Sequence, residues 1–168
     1  MMLTPLRAPY GLCEAPLAWY RRLTTELLNC GFEQVSADRC VYVLRHPTKA
    51  GVILGIIGAH VDDLLIAGCD RSVDPRFEQA LDKLNSRLPF GDRKYADMSP
   101  VIYTGINLRQ HPQTRSITID QTHYIEKLRE VPLKQCSDGL LDHRGQTQFW
   151  SQLGALLWVA VNTRPDVA

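Results

Sequence analysis

The sequence predicts an α+β fold in which a small antiparallel sheet is packed by helices and is followed by a second α/β segment. Runs of apolar, β-branched residues separated by turn residues predict the strands. Apolar residues at steps of three and four predict the amphipathic helices. At 168 residues and 45% hydrophobic content, the chain can bury a core, most simply as one domain with a small appendage.

The first half of the chain contains a helix and then a group of strands. Helical spacing from Pro16 to Leu28 predicts the helix, and Gly31 predicts its end. Strands are predicted from Val41 to Leu44 and from Val52 to Ala59, around a turn at residues 46–51. A further apolar stretch from Leu64 to Ala67 predicts the strand that completes a hairpin.

The second half of the chain has a different pattern. Residues 75–88 place apolar side chains on one helix face, and a charged, Gly-containing linker follows through residue 91. The remaining predictions are paired strands from Val101 to Leu108 and from Ser116 to Ile119 with a turn at His111 to Thr114, a helix from Thr122 to Arg129, a loop from Cys136 to Thr147, and a final helix from Phe149 to Val161.

Composition limits the classes of function. The net charge of +1 indicates no global surface for a polyanion, so any nucleic-acid interface has to be a local patch. The five cysteines are odd in number, widely spaced and without a C-x-x-C pair, which predicts free thiols and no zinc site. Because no signal peptide or long apolar run is visible, we expect a soluble intracellular protein, cytoplasmic or nuclear, with no membrane partner.

Asp62 and Asp63 lie between the last two strands of the first group. Adjacent carboxylates repel one another, and half-buried in a sheet without a cation they would cost several kcal/mol. A divalent metal would remove that cost. A solvated turn is the alternative, since Asp is a common turn residue.

Several short segments follow one another in an order and spacing that are specific together, although each is weak alone. They are Pro9 to Leu12 with Ala15-Pro16 and Ala18 to Tyr20, then Ala37-Asp38 with Cys40, His60 to Asp63, Tyr103 to Ile106, Gln121 with Tyr124-Ile125, and Asn162 to Ala168. In this order they resemble the reverse transcriptases of copia-type retrotransposons, where the first segment is written YGLKQAPRAWY and the third YVDD. The resemblance covers nearly the whole chain.

The resemblance implies a palm-type RNA-directed DNA polymerase that performs two-metal nucleotidyl transfer on an RNA or DNA primer-template. Asp62 and Asp63 would be its catalytic residues and the ligands of Mg²⁺. Residues 1–70 would form a partial palm that carries the HVDD turn. Residues 71–135 would form a thumb-like or connection segment, and residues 136–168 a loop and helix that lead toward a ribonuclease H region.

Further residues acquire expected roles from the resemblance. Tyr10, Gly11, Glu14 and His60 would lie near the template and the incoming nucleotide, and Arg7, Arg21 and Arg22 are candidate contacts for backbone phosphate. The alternative for His60 is a histidine at a strand end that takes no part in catalysis. The alternative for the arginines is a solvated helix face. Trp19 and Tyr20 are interpreted as core residues, with a base-stacking platform as the alternative.

The chain also departs from the family pattern. The family's first catalytic aspartate precedes the YGL segment, whereas none of the nine residues before Tyr10 is acidic. Cys13 and Glu14 stand where Lys and Gln are common, which weakens binding to a polyanion. We therefore expect a truncated palm that is inactive alone, whose partner is the missing upstream segment and whose strand at residues 52–59 borders the vacancy. A non-catalytic nucleic-acid-binding module and a decayed transposon remnant are the alternatives.

Overall fold

Two antiparallel sheets and four α-helices organise the part of the chain that the computed structural model describes, residues 14–130 and 141–167. The predicted α+β class is confirmed. The chain divides into two compact units, residues 1–92 and 93–168. Among the described residues, no helix combines the length and apolar character that a bilayer crossing requires.

The first unit follows the predicted order of elements, with one short strand added. Pro16 lies in the first turn of its first helix, and Gly31, at φ 92°, follows the last turn. The predicted helices and strands agree with the structure to within two residues at each end. The elements are α1 (Ala15–Asn29), β1 (Glu33–Gln34), β2 (Val41–Arg45), β3 (Ile53–His60), β4 (Asp63–Gly68) and α2 (Arg76–Arg87).

The first sheet has the strand order β1-β2-β3-β4, with every neighbouring pair antiparallel. Both helices pack on one of its faces, where Tyr42 and Ile57 are fully buried. Leu27 of α1 and Leu84 of α2 belong to the same core. Helix α2 therefore completes the core of the first unit, which explains why the unit continues to residue 92.

The second unit departs from the predictions at three places. Its elements are β5 (Val101–Tyr103), β6 (Ile106–Gln110), β7 (Ile117–Asp120), α3 (Thr122–Ile125), α4 (His143–Asn162) and a 3₁₀ turn (Pro165–Val167). The predicted strand at residues 101–108 is two strands, because Thr104 and Gly105 both adopt positive φ and reverse the chain as a two-residue hairpin turn. Its second part, β6, pairs with β7 as predicted.

The two other differences concern helix lengths. The helix predicted from residue 122 to residue 129 ends at Ile125. Residues 143–147, for which the sequence predicts a loop, begin α4. The Asp142 carboxylate accepts a hydrogen bond from the Gly145 N–H at 2.6 Å and caps the helix. The rest of that predicted loop, residues 136–140, lies outside the described residues. Three of the predicted free thiols are confirmed, those of Cys30, Cys40 and Cys69.

A slot formed by two glycines holds the Phe77 ring against the first sheet. Gly55 and Gly68 are directly paired across β3 and β4. A Cβ atom added at either position would lie 2.0 Å from a ring carbon of Phe77. The ring also meets Phe32 edge to face, with centroids 6.2 Å apart. The missing side chains therefore create the space in which α2 docks.

A buried carboxylate joins the two helices of the first unit. Glu26 of α1 is only 4% exposed and accepts a hydrogen bond from Arg87 Nη1 of α2 at 2.7 Å. Arg22 Nη2 lies 3.1 Å from the same carboxylate. The hydrogen bond from Arg87 is the main reason that the pKa of Glu26 lies below its ordinary value of 4.5, against the opposing effect of burial.

This ion pair predicts an acid-sensitive helix contact. Since the folded-state pKa of Glu26 is lowered, its contribution to stability is complete above the unfolded pKa and is lost as the pH falls through the folded one. We expect Glu26→Gln to lower the thermal midpoint at neutral pH and to flatten the acid limb of the stability profile. The control is Glu33→Gln, which removes a solvent-exposed pair with Arg45. Equal acid profiles for the two variants would contradict the assignment.

Candidate active site at the tip of the β3–β4 hairpin

The β3–β4 hairpin closes through a two-residue loop. His60 pairs with Asp63 in the strand register, which leaves Val61 and Asp62 as the loop. Val61 has φ 55°, whereas Asp62 is not among the residues with positive φ. Positive φ at the first loop position alone is the signature of a type II′ turn, where glycine is favoured. A β-branched residue in this conformation stores about 1–3 kcal/mol of strain.

Both candidate metal ligands lie at this tip and are exposed to solvent. Asp62 occupies the second loop position, and Asp63 begins β4 on the same sheet face as its partner His60. The cost of burying unpaired charge therefore does not arise here. Among the described residues, no group of three His, Cys, Asp or Glu side chains converges as a metal site. Two hard carboxylates fit part of the oxygen ligand set of Mg²⁺.

An indole hydrogen bond ties the tip to α1. Trp19 Nε1 donates to the Val61 carbonyl oxygen at 2.7 Å. The Trp19 ring is partly buried and packs against the hydrophobic core, as the core interpretation predicts. The sequence does not predict this bond, since no local spacing connects residues that lie 42 positions apart.

The other candidate residues are distributed along α1 and the hairpin. Glu14 is exposed and precedes α1, where its carbonyl accepts the Ala18 N–H at 3.0 Å. Arg21 and Arg22 are exposed on α1, and the Arg22 guanidinium is engaged by Glu26. His60 is exposed at the end of β3. The predicted positions Arg7, Tyr10 and Gly11 lie outside the described residues.

Strand β4 forms an edge of the sheet built by the described residues. The expectation that the strand at residues 52–59 borders a vacancy is therefore wrong, because β3 lies between β2 and β4. The Cys69 N–H donates to the Leu54 carbonyl at 2.8 Å, so odd-numbered residues of this segment bond to β3. The alternation therefore directs the N–H and C=O groups of Leu64 and Ile66 away from β3. These groups lie close to the acidic tip of the hairpin.

Comparison with known proteins gives one consistent family. Residues 5–138 match the family described as reverse transcriptase (RNA-dependent DNA polymerase). The chain is 30% identical to the retrovirus-related Pol polyprotein from transposon RE2 of Arabidopsis thaliana, over 96% of the chain and 11% of that protein. It is 24% identical to the corresponding polyprotein from transposon TNT 1-94 of Nicotiana tabacum, over 95% of the chain and 13% of that protein.

A transposon Ty5-1 protein of Saccharomyces cerevisiae is 29% identical over 95% of the chain and 53% of its own length. The chain therefore spans a small part of the plant polyproteins and about half of the yeast protein. No solved structure matches the chain.

Proposed function

The chain belongs to the copia-type reverse transcriptases, and we propose that it is the palm and thumb portion of such an RNA-directed DNA polymerase, with Asp62 and Asp63 as its Mg²⁺ ligands. The observation that carries the proposal is the hairpin, which presents two adjacent carboxylates at the tip of an antiparallel sheet backed by two helices. The partner in this proposal is an RNA or DNA primer-template.

Each residue of the tip has a definite role in the proposal. Asp62 is the stronger ligand, and Asp63 completes the negative site beside it. Bound Mg²⁺ would lower the pKa of the primer 3′-hydroxyl and neutralise the charge that develops on the triphosphate. In this proposal Glu14 would place an anion beside the nucleic-acid strand, which weakens the binding of the phosphate backbone.

The two carboxylates do not complete a site for Mg²⁺. The ion requires near-octahedral oxygen geometry and dehydrates reluctantly, so a ligand-poor tip aligns it weakly. No third acid joins the pair among the described residues, so in this proposal an acid from outside them completes the site. The edge of β4 supports this step, because a strand paired with Leu64 and Ile66 would carry its own side chains to the tip.

Primer extension tests the proposal. We expect the 168-residue chain to show no templated incorporation with Mg²⁺ or Mn²⁺. Supplying the segment that precedes the matched region in the RE2 polyprotein, by fusion or in trans, should give incorporation that Asp62→Ala abolishes. The matched control is Asp92→Ala, which removes an exposed acid at the end of the first unit.

Incorporation by the chain alone that Asp62→Ala abolishes would contradict the need for a supplied segment. If the supplied segment restores no activity, salt-dependent binding to a primer-template hybrid distinguishes the alternatives. Binding would favour a non-catalytic nucleic-acid-binding module, and its absence would favour a decayed transposon remnant.

A further inference from the structure

We propose that Trp19 is a positioning residue for Asp62. Its indole N–H holds the Val61 carbonyl and thereby keeps the hairpin tip in the type II′ form. The conformational part of this inference stands on the hairpin geometry alone. Its consequence for metal binding rests on the proposed function of the tip.

The hydrogen bond acts on the one peptide that distinguishes two competing turns. Types I′ and II′ both have positive φ at the first loop position and differ in the orientation of the peptide that joins the two loop residues. Here that peptide joins Val61 to Asp62. A flip would reverse the Val61 carbonyl and change φ of Asp62 from negative to positive. Holding the carbonyl therefore fixes the direction in which the Asp62 side chain leaves the turn.

The loop residues themselves do not select the type II′ turn. Asp tolerates positive φ, so Asp62 does not exclude the type I′ form. Val61 is β-branched, has φ 55° and gains little from its own packing, since its side chain is 69% exposed. A strained backbone conformation persists only when surrounding contacts hold it in place. The hydrogen bond from Trp19 to the Val61 carbonyl is such a contact.

Trp19 is well placed for this role because its helix is fixed. Leu23 and Leu27 of α1 are 1% and 0% exposed in the core of the first unit. The Trp19 ring packs against the same core as Ala59 and Leu64, the residues that flank the tip. Indole nitrogen is only a donor, so its direction toward the carbonyl is unambiguous. The core therefore positions the donor, and the donor positions the turn.

Trp19→Phe tests the inference, because it keeps an aromatic ring and removes the donor. The control is Trp150→Phe, which makes the same change at a residue that is 66% exposed in the second unit. In the ¹⁵N-labelled 168-residue chain, the backbone coupling constant between the amide and α protons of Asp62 reports its φ. We expect Trp19→Phe to shift the ratio of the two turns about fivefold toward type I′, the factor that one net hydrogen bond carries.

A second variant separates positioning from packing. Glycine at the first loop position favours the type II′ turn, so adding Val61→Gly to Trp19→Phe should restore the Asp62 coupling constant. In the unchanged chain, the Trp19 indole proton should exchange with solvent at least about tenfold more slowly than that of Trp150. Mn²⁺ affinity at the tip, measured by paramagnetic broadening, should fall up to about fivefold with Trp19→Phe and recover in the double variant.

An Asp62 coupling constant that Trp19→Phe leaves unchanged overturns the inference. Rapid exchange of the Trp19 indole proton in the unchanged chain does so as well, even if the variant fails to fold. If the coupling constant changes in a chain that binds no Mn²⁺, the positioning role is supported and only the proposed metal site is contradicted.

Discussion

A chain that carries Ile66→Pro is expected to remain monomeric at concentrations at which the unchanged chain pairs with itself through β4. The edge of a sheet offers N–H and C=O groups to another strand. The ladder alternation directs the Ile66 N–H away from β3, so proline removes one of these donors and keeps the hairpin bonds. Leu65 and Ile66, 41% and 37% exposed, add apolar surface on the two faces of the strand.

Sedimentation equilibrium measures this prediction. The dissociation constant for self-association should rise at least about tenfold, which corresponds to about 1.4 kcal/mol. The control is Leu65→Pro, which removes an N–H that the alternation directs toward β3 and should lower the thermal midpoint instead. If the unchanged chain is monomeric and unfolds cooperatively, the β4 edge needs no partner. That result would favour the non-catalytic module over the polymerase portion.

Gly55→Ala is expected to destabilise the first unit toward the upper end of about 1–3 kcal/mol. Its methyl group would lie 2.0 Å from Cε2 of Phe77, which is only 3% exposed and has little room to move. The control is Gly58→Ala on the same strand, where the nearest atom to an added Cβ is the Leu65 carbonyl oxygen at 4.0 Å. Urea unfolding of both variants gives the free-energy difference.

Replacing the Phe77 ring with a smaller side chain tests whether a clash with this ring causes the loss of stability. Phe77→Leu in the Gly55→Ala background should recover part of the lost stability, although Phe77→Leu alone destabilises. Similar losses for Gly55→Ala and Gly58→Ala would show that the strand, and not the slot for Phe77, is sensitive to side chains.

The sequence predicts the helices and strands whose apolar residues follow one regular spacing throughout. The amphipathic faces of α1 and α2 and the β-branched runs of β2 and β3 each follow one period and end at turn residues, so their bounds could be predicted. The segment at residues 101–108 contains a reversal inside an apolar run, and only Gly105 signals it. The start of α4 depends on the Asp142 cap, which precedes polar residues and gives no periodic signal.

The candidate site was predictable only in part. The position of two adjacent acids between strands predicted the hairpin tip that carries Asp62 and Asp63. Their proposed function comes from the family resemblance. The sequence does not specify the order of strands in a sheet, so it does not reveal that β4, and not β3, is at the edge of the sheet built by the described residues. The bond from Trp19 to Val61 is a tertiary contact across 42 residues, which periodicity does not reveal.

The meander of β2, β3 and β4 also has a consequence for the order of folding. Neighbouring strands joined by short loops close quickly, and a hairpin forms in about 1–10 μs. The indole bond requires closure of a much longer loop, and the contact between Glu26 and Arg87 spans 61 residues. We therefore expect the turn at Val61 and Asp62 to be formed already in the folding transition state. The hydrogen bond from the Trp19 indole to Val61 would form afterwards. Newly made chains would then sample both peptide orientations until the helices dock.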